Sequence, residues 1–139
     1  MKLNKLSHKV TLNFWHLEWC TKYRYKMMRK LAIRNMVAAA IRKAATEHKI
    51  KIIELEVMPE HVHLSCTLPN GMTDSKALGL LKGRSAYLIF RHKPNLRLRY
   101  PKGHFWSSGN CSLTVGYNTL EGTNEYIKNQ QGHHNVAFA

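Results

Sequence analysis

Hydrophobic and polar residues alternate along some stretches of the chain and recur at helical spacing along others. Alternation over Val10–Trp19 and Lys51–Met58 predicts two strands, with Ile53, Leu55 and Val57 on one face of the second. Apolar residues three and four apart predict a long helix over Met27–His48. Its core-facing stripe consists of Ile33, Met36, Val37, Ala40, Ile41 and Ala44.

Turn and capping signals place the elements of the second half. Asn70-Gly71 is a strong turn signal, and Thr73 or Asp74 can cap the helix that follows. That helix runs from about Ser75 to Arg91 and ends before Pro94. Phe105-Trp106 and then Cys111 to Val115 predict a fourth strand, and a last helix begins near Thr119-Leu120-Glu121.

The predicted order is β-α-β-β-α-β followed by one more helix. This is the α+β, ferredoxin-like split βαβ arrangement, an antiparallel four-stranded sheet with two helices on one face. The other face of the sheet is then left for function. Residues 1–139 are expected to form a single domain, since this length suits one core.

The third strand carries the triplet His61-Val62-His63 after Pro59-Glu60. Side chains alternate between the faces of a strand, so Val62 and Leu64 point to the core and both histidines point away from it. Two imidazoles on one face of a rigid strand suit joint coordination of a metal ion. The alternative is a pair of partly exposed histidines on the polar face of a sheet.

Positive charge dominates the composition, with 22 Lys and Arg against 8 Asp and Glu and a net charge of +14. So large an excess opposes folding by self-repulsion unless an anion is bound, and it indicates a nucleic acid. Two clusters carry much of the charge, and from them we select five DNA-binding candidates: Lys22, Arg24, Lys82, Arg84 and Arg91. Gly79 and Gly83 would allow a DNA backbone to come close, or they serve helix packing.

Several functional classes are disfavoured. The longest apolar run, Met36 to Ile41, is too short to span a bilayer, and the first residues lead into no signal-peptide core. A cytoplasmic protein that binds no membrane and no nucleotide cofactor is therefore expected.

Five aromatic residues are interleaved with charged residues and could stack on unpaired bases: Trp15, Trp19, Tyr23, Tyr25 and Trp106. For Trp15 and Trp19, core packing is an equal alternative.

The last helix places Tyr126 and Gln130 four residues apart, on one helical face. Docked on the open face of the sheet, Gln130 could offer its carbonyl oxygen as a third metal ligand, with Tyr126 beside the ion. The alternative is an ordinary amphipathic helix with Tyr126 half buried.

Nearly the whole chain resembles the single-tyrosine transposases of the HUH superfamily, small enzymes of insertion sequences that move as single-stranded DNA. The resemblance lies in several motifs in this order: residues 20–25 (CTKYRY), 57–64 (VMPEHVHL), 81–85 (LKGRS), 105–107 (FWS), 114–116 (TVG) and 126–130 (YIKNQ). The residue between the two histidines should be hydrophobic, and Val62 fits. Gly122 departs from the family pattern and predicts a shifted helix start or a hinge.

The resemblance implies the site and the partners of the protein. It implies His61, His63 and Gln130 as ligands of Mg²⁺ or Mn²⁺, and Tyr126 as the nucleophile that forms a 5′-phosphotyrosine link. It also implies single-stranded DNA with hairpins at the element ends and a homodimer. Two alternatives are a non-catalytic ferredoxin-like nucleic-acid-binding module and a replication-type HUH nickase, although such nickases are usually larger.

Overall fold

An antiparallel sheet backed by two helices forms the part of the molecule described by the structure, a computed structural model. The described residues are 13–109 and the backbone of 113–117. The strands are β1 (Phe14–Cys20), β2 (Lys51–Val57), β3 (His61–Thr67) and β4 (Leu113–Tyr117), in the order β2-β3-β1-β4. The helices are α1 (Leu31–Glu47) and α2 (Asp74–His92). The mixed α/β class is confirmed, and the strand order is that of a split βαβ unit.

The strand β3 lies inside the sheet, between β2 and β1. All three pairings in the sheet are antiparallel, and β4 extends the sheet along the far edge of β1. On one face of β3, Val62, Leu64 and Cys66 are completely buried, as the alternation predicted. Cys66 is a free thiol, and burial raises its pKa to about 12.

Both helices pack on this apolar face of the sheet. Val37 and Ile41 of α1 share a core cluster with Leu81 and Ile89 of α2 and with the inward residues of β1, β2 and β3. Thr73 caps α2, because its hydroxyl accepts a hydrogen bond of 3.1 Å from the backbone N–H of Lys76. The predicted stripe of α1, the Thr73 cap and the end of α2 before Pro94 are therefore confirmed.

Two predicted details of the first half are wrong. The helix α1 begins at Leu31 and not at Met27, because the backbone N–H of Met28 donates to the carbonyl of Pro59 and holds this segment as a turn. Ile53 does not share a core face with Leu55 and Val57. The register of β2 against β3 shifts between Ile52 and Glu54, which leaves Ile53 38% exposed.

Bounds of the first and fourth strands differ from the predictions, and part of each prediction lies outside the described residues. The described part of the first strand begins at Phe14, and residues 10–12 lie outside the described residues. The fourth strand is Leu113–Tyr117, whereas Trp106 forms an isolated antiparallel bridge with Thr21. The predicted last helix also lies outside the described residues.

Neither α1 nor α2 combines the length and the apolarity that a membrane crossing requires.

Candidate metal centre and nucleic-acid surface

A cross-strand row of polar residues surrounds His63 on the sheet face opposite the helices. Glu18 of β1 and Glu56 of β2 both lie directly opposite His63 in the register. In the neighbouring row, His16 of β1 lies opposite Ser65. Residues directly opposite each other in an antiparallel pair share a face. Strands β1, β2 and β3 therefore gather imidazoles and carboxylates around the triplet His61-Val62-His63.

The two HUH histidines point their Nε2 atoms at each other. The Nε2 atoms of His61 and His63 are 3.0 Å apart, and the rings meet nearly edge-on. An octahedral ion with ligands at 2.0–2.1 Å holds neighbouring ligand atoms about 3.0 Å apart. The separation thus fits two imidazoles on one octahedral ion, and it also allows an N–H···N hydrogen bond in the metal-free protein. The prediction that both rings lie on one face is confirmed.

Each of these rings has its other nitrogen beside a polar group. The Nδ1 atom of His61 lies 3.3 Å from a carboxylate oxygen of Glu60. The Nδ1 atom of His63 lies 3.3 Å from Nε2 of His16, whose own Nδ1 is 3.4 Å from the hydroxyl of Ser65. Neighbours of this kind orient a metal-bound imidazole and fix its tautomer. The arrangement leaves Nε2 as the atom with which each ring could bind an ion.

A third group faces the Nε2 side of His63. The carboxylate of Glu18 lies 3.3 Å from this nitrogen, and Glu18, His16 and His63 together form a cluster able to hold a metal ion. Within the cluster, His16 faces Nδ1 of His63 and Glu18 faces Nε2. His16 is thus placed to orient the His63 ring, and Glu18 lies on the side where the two Nε2 atoms converge.

Sequence reasoning missed His16, Glu18 and Glu60. Alternation in Trp15-His16-Leu17-Glu18-Trp19 carries the signal for the first two, since the intervening residues face the core. Their position beside His63 also required knowing that β1 is the neighbour of β3.

A family comparison gives this geometry its context. The family described as "Transposase IS200 like" matches residues 9–130 of the chain. The chain belongs to the IS200-like transposase family.

Two named transposases are similar to this chain over most of its length. The ISDra2 transposase TnpA of Deinococcus radiodurans is 32% identical over 116 residues, which cover 84% of this chain and 82% of that protein. The transposase for insertion sequence element IS200 of Salmonella typhimurium is 30% identical over 84% of this chain and 75% of its own length.

Solved structures of transposases share the fold. A putative transposase from Deinococcus radiodurans matches 86% of this chain and 91% of its own, with a TM-score of 0.66 and 32% identity. A REP-associated tyrosine transposase bound to a REP hairpin matches 91% of this chain and 72% of its own, with a TM-score of 0.59. The second match, at 19% identity, shows the fold alone.

Two predicted site residues, Tyr126 and Gln130, lie outside the described residues. The family match includes both positions. Their roles as nucleophile and third ligand therefore stay predictions.

A basic cavity lies beside α2. Its volume is about 620 Å³. Lys22, Lys82 and Arg91 line it, together with Gly83 and Trp106. Burial lowers the pKa of Lys82, which is the expected effect of partial desolvation on an ammonium group. Three of the five predicted DNA-binding residues thus line one cavity.

The other two DNA-binding candidates lie differently. Arg84 forms a two-point ion pair with Glu47 of α1, with N–O distances of 2.7 and 3.1 Å, and its guanidinium lowers the pKa of that carboxyl. Arg24 is exposed in the turn after β1. A methyl group added at Gly79 or Gly83 would meet nothing within 4 Å outside its own helix among the described residues. The packing alternative for these glycines is therefore unsupported there.

The aromatic candidates divide between the core and the surface. Trp19 and Trp106 are buried and pack edge to face at 5.8 Å, so core packing accounts for both. Trp15 is partly buried against the same core. Tyr23 is 61% exposed and stays available for stacking.

Proposed function

We propose that this protein cleaves and rejoins single-stranded DNA at the ends of an insertion sequence through a 5′-phosphotyrosine intermediate. The observation that carries the proposal is the pair of Nε2 atoms of His61 and His63, 3.0 Å apart, in a chain of the IS200-like family. Such a pair suits an ion that binds the scissile phosphate.

Tyr126 is the proposed nucleophile. Its phenolic oxygen attacks the scissile phosphorus, the bond to the 3′-oxygen breaks, and the DNA end downstream becomes esterified to the protein. The upstream end leaves as a free 3′-hydroxyl. The 3′-hydroxyl of another strand end attacks the ester and releases the phenol. The tyrosine ester stores the energy of the broken phosphodiester bond, so no ATP is needed.

His61, His63 and Gln130 are the proposed ligands of a divalent ion, Mg²⁺ or Mn²⁺. When bound, such an ion withdraws charge from a non-bridging phosphate oxygen and orients the phosphate. Imidazole nitrogens favour Mn²⁺ over Mg²⁺. Glu60 and His16 hold the two rings so that both Nε2 atoms point to the same place.

The proposed substrate is unpaired DNA next to an imperfect hairpin. A solved relative of the same fold, the REP-associated transposase, is bound to a REP hairpin. The cavity of Lys22, Lys82 and Arg91 offers positive charge to such a backbone. A homodimer with two active sites suits a reaction that needs two cleavages.

The decisive experiment is a denaturing gel of the protein incubated with Mn²⁺ and an element-end oligonucleotide. A 3′ label should move to the position of the protein, because the downstream fragment carries the ester. A 5′ label should instead appear on a shorter free fragment. Retarded binding without either product would favour a non-catalytic binding module, and cleavage that persists in EDTA would remove the metal from the reaction.

Charge substitutions on α2 give the first prediction. Log affinity for single-stranded DNA should fall with log salt by about 0.7 per neutralised phosphate. Lys82→Gln should weaken binding and reduce this slope by about 0.7, because Lys82 lines the basic cavity. Arg84→Gln should do less, since Glu47 already pairs with Arg84. Fluorescence anisotropy from low to high salt checks both variants, and equal losses would contradict the assignment.

Glu18 gives the second prediction. Its carboxylate faces Nε2 of His63 at 3.3 Å, and an anionic oxygen there suits Mg²⁺ or Mn²⁺. Glu18→Gln should weaken Mn²⁺ binding by about tenfold or more, the scale found for groups around bound metals. Electron paramagnetic resonance of free Mn²⁺ measures the affinity. The control is Glu54→Gln, which removes the same charge from β2, opposite Ser65. An equal loss of Mn²⁺ affinity in this control would show that Glu18 acts only through long-range electrostatics.

A further inference from the structure

The turn that follows β1 holds two non-glycine residues in the left-handed region. Tyr23 has φ 61° and ψ 12°, and Arg24 has φ 54°. This backbone is unfavourable for side chains with a Cβ, and it persists only where the surroundings fix it. The hydroxyl of Thr21 donates to the carbonyl of Tyr25 at 2.6 Å, and the backbone N–H of Lys22 donates to Phe105 at 2.9 Å. Strain maintained in this way is typical of functional sites.

The strained turn presents an aromatic ring to solvent. Tyr23 is 61% exposed, although its ring lies 5.3 Å from Tyr25 and nearly parallel to Tyr100 at 6.3 Å. Tyr100 is a fixed support, because it is buried and its hydroxyl donates to the carbonyl of Lys22 at 3.1 Å. Burial raises the pKa of Tyr100 to about 12, so this hydroxyl keeps its proton. The exposed ring is therefore held on a rigid base.

Cations accompany these rings. The ammonium of Lys22 lies 5.4 Å from the centre of the Tyr23 ring, and the guanidinium of Arg99 lies 4.5 Å from that of Tyr25. A cavity of about 230 Å³ adjoins them, lined by Lys22, Tyr23, Tyr100, Pro101, Lys102 and His104. An exposed ring flanked by basic side chains is typical of single-strand binding, in which bases stack on aromatic rings and cations contact phosphates.

The turn also lies close to the HUH triplet. Cys20, the last residue of β1, is opposite His61 in the register, and the backbone N–H of Thr21 donates to the backbone carbonyl of Glu60 at 2.9 Å. Two residues of chain span at most about 7 Å between Cα atoms. The Cα atom of Tyr23 therefore lies within about 7 Å of that of Thr21, and Thr21 is hydrogen-bonded to Glu60, which precedes His61. If a phosphate binds at His61 and His63, a nucleotide close to that phosphate could meet the ring.

From these contacts we infer that Tyr23 is a stacking platform for an unpaired DNA base next to the scissile phosphate. The inference rests on the proposed function, because it takes single-stranded DNA as the substrate. It adds a sequence-tolerant contact to the charge contacts of the basic cavity. Stacking acts on the base, whereas Lys22 beside it acts on the phosphate.

The test compares two substitutions at one position. Tyr23→Leu keeps an apolar side chain without a ring, and we expect affinity for the cleavage-site oligonucleotide to fall about tenfold at unchanged salt slope. Tyr23→Phe keeps the ring and should bind within about twofold of the unchanged protein. Circular dichroism melts confirm that both variants fold, and a Leu variant that binds as tightly as the Phe variant overturns the inference.

Modified DNA locates the contact. Abasic nucleotides placed one at a time beside the cleavage site should remove the difference between Tyr23→Leu and Tyr23→Phe at one position. A 2-aminopurine at that position should be quenched by the unchanged protein and not by Tyr23→Leu. If no abasic position removes the difference, stacking is excluded. If the unchanged protein binds no single-stranded DNA and forms no adduct, the proposed function itself fails.

Discussion

Tyr126→Phe should abolish the covalent DNA adduct while the protein still binds its hairpin within a few-fold. The substitution removes only the phenolic oxygen, which is the proposed nucleophile. Removal of the nucleophile in a well-studied hydrolase lowers kcat by on the order of 10⁶-fold, so the adduct should fall below detection. A denaturing gel with 3′-labelled DNA measures the adduct, and anisotropy measures the binding.

A matched substitution sharpens this test. Tyr117 ends β4, and Tyr117→Phe should leave the adduct yield close to that of the unchanged protein. If Tyr126→Phe still forms the adduct and Tyr117→Phe does not, the nucleophile is Tyr117. If both variants still form it, the tyrosine mechanism is wrong for these residues.

His61→Ala should stop cleavage without unfolding the protein. One of the two convergent Nε2 atoms is lost, and a weakly held divalent ion is left with too few ligands. Loss of an outer partner of a metal ligand already costs about 10–100-fold, so loss of the ligand itself should cost more. The His61 side chain is 26% exposed, and its removal should change stability by about 0.5 kcal/mol or less. Cleavage rates, Mn²⁺ titration and thermal melts check these outcomes.

The choice of His61 over His63 follows from burial. His63 is buried and contacts both His16 and Glu18, so its removal would disturb the sheet face as well as the ion. Removal of the more exposed His61 side chain should therefore disturb the fold less than removal of His63 would. His92→Ala, at the exposed end of α2, is the control and should cleave normally. Normal cleavage by His61→Ala would show that His61 and His63 do not hold a metal ion needed for cleavage. A large fall in melting temperature would instead show that His61 has a structural role.

The sequence predicts those parts of the fold that depend on local periodicity. Alternation places Val62 and Leu64 in the core and His61 on the other face, since the period of a strand is fixed. The bulge that turns Ile53 outward was not predictable, because it arises from the pairing of β2 with β3. The late start of α1 likewise depends on a bond between distant residues, Met28 and Pro59.

The site divides in the same way. The HUH pair is local in sequence and was predicted from it. Glu18 and His16 approach His63 across a strand boundary, which no pattern within one strand reveals. The ion pair of Arg84 with Glu47 joins α2 to α1. Because of this tertiary contact, Arg84 is a weaker DNA-binding candidate than the nearby Lys82.

The inner position of β3 has a consequence for motion. A strand bonded on both sides opens only with the core, so its amide protons should belong to the last set to exchange with solvent. A slip of one residue would also turn both imidazoles toward the helices, and the two neighbouring ladders prevent it. The two imidazoles of His61 and His63 are therefore held in place by the sheet itself. If a tyrosine has to move to a phosphate bound there, that movement does not also have to bring the two imidazoles together.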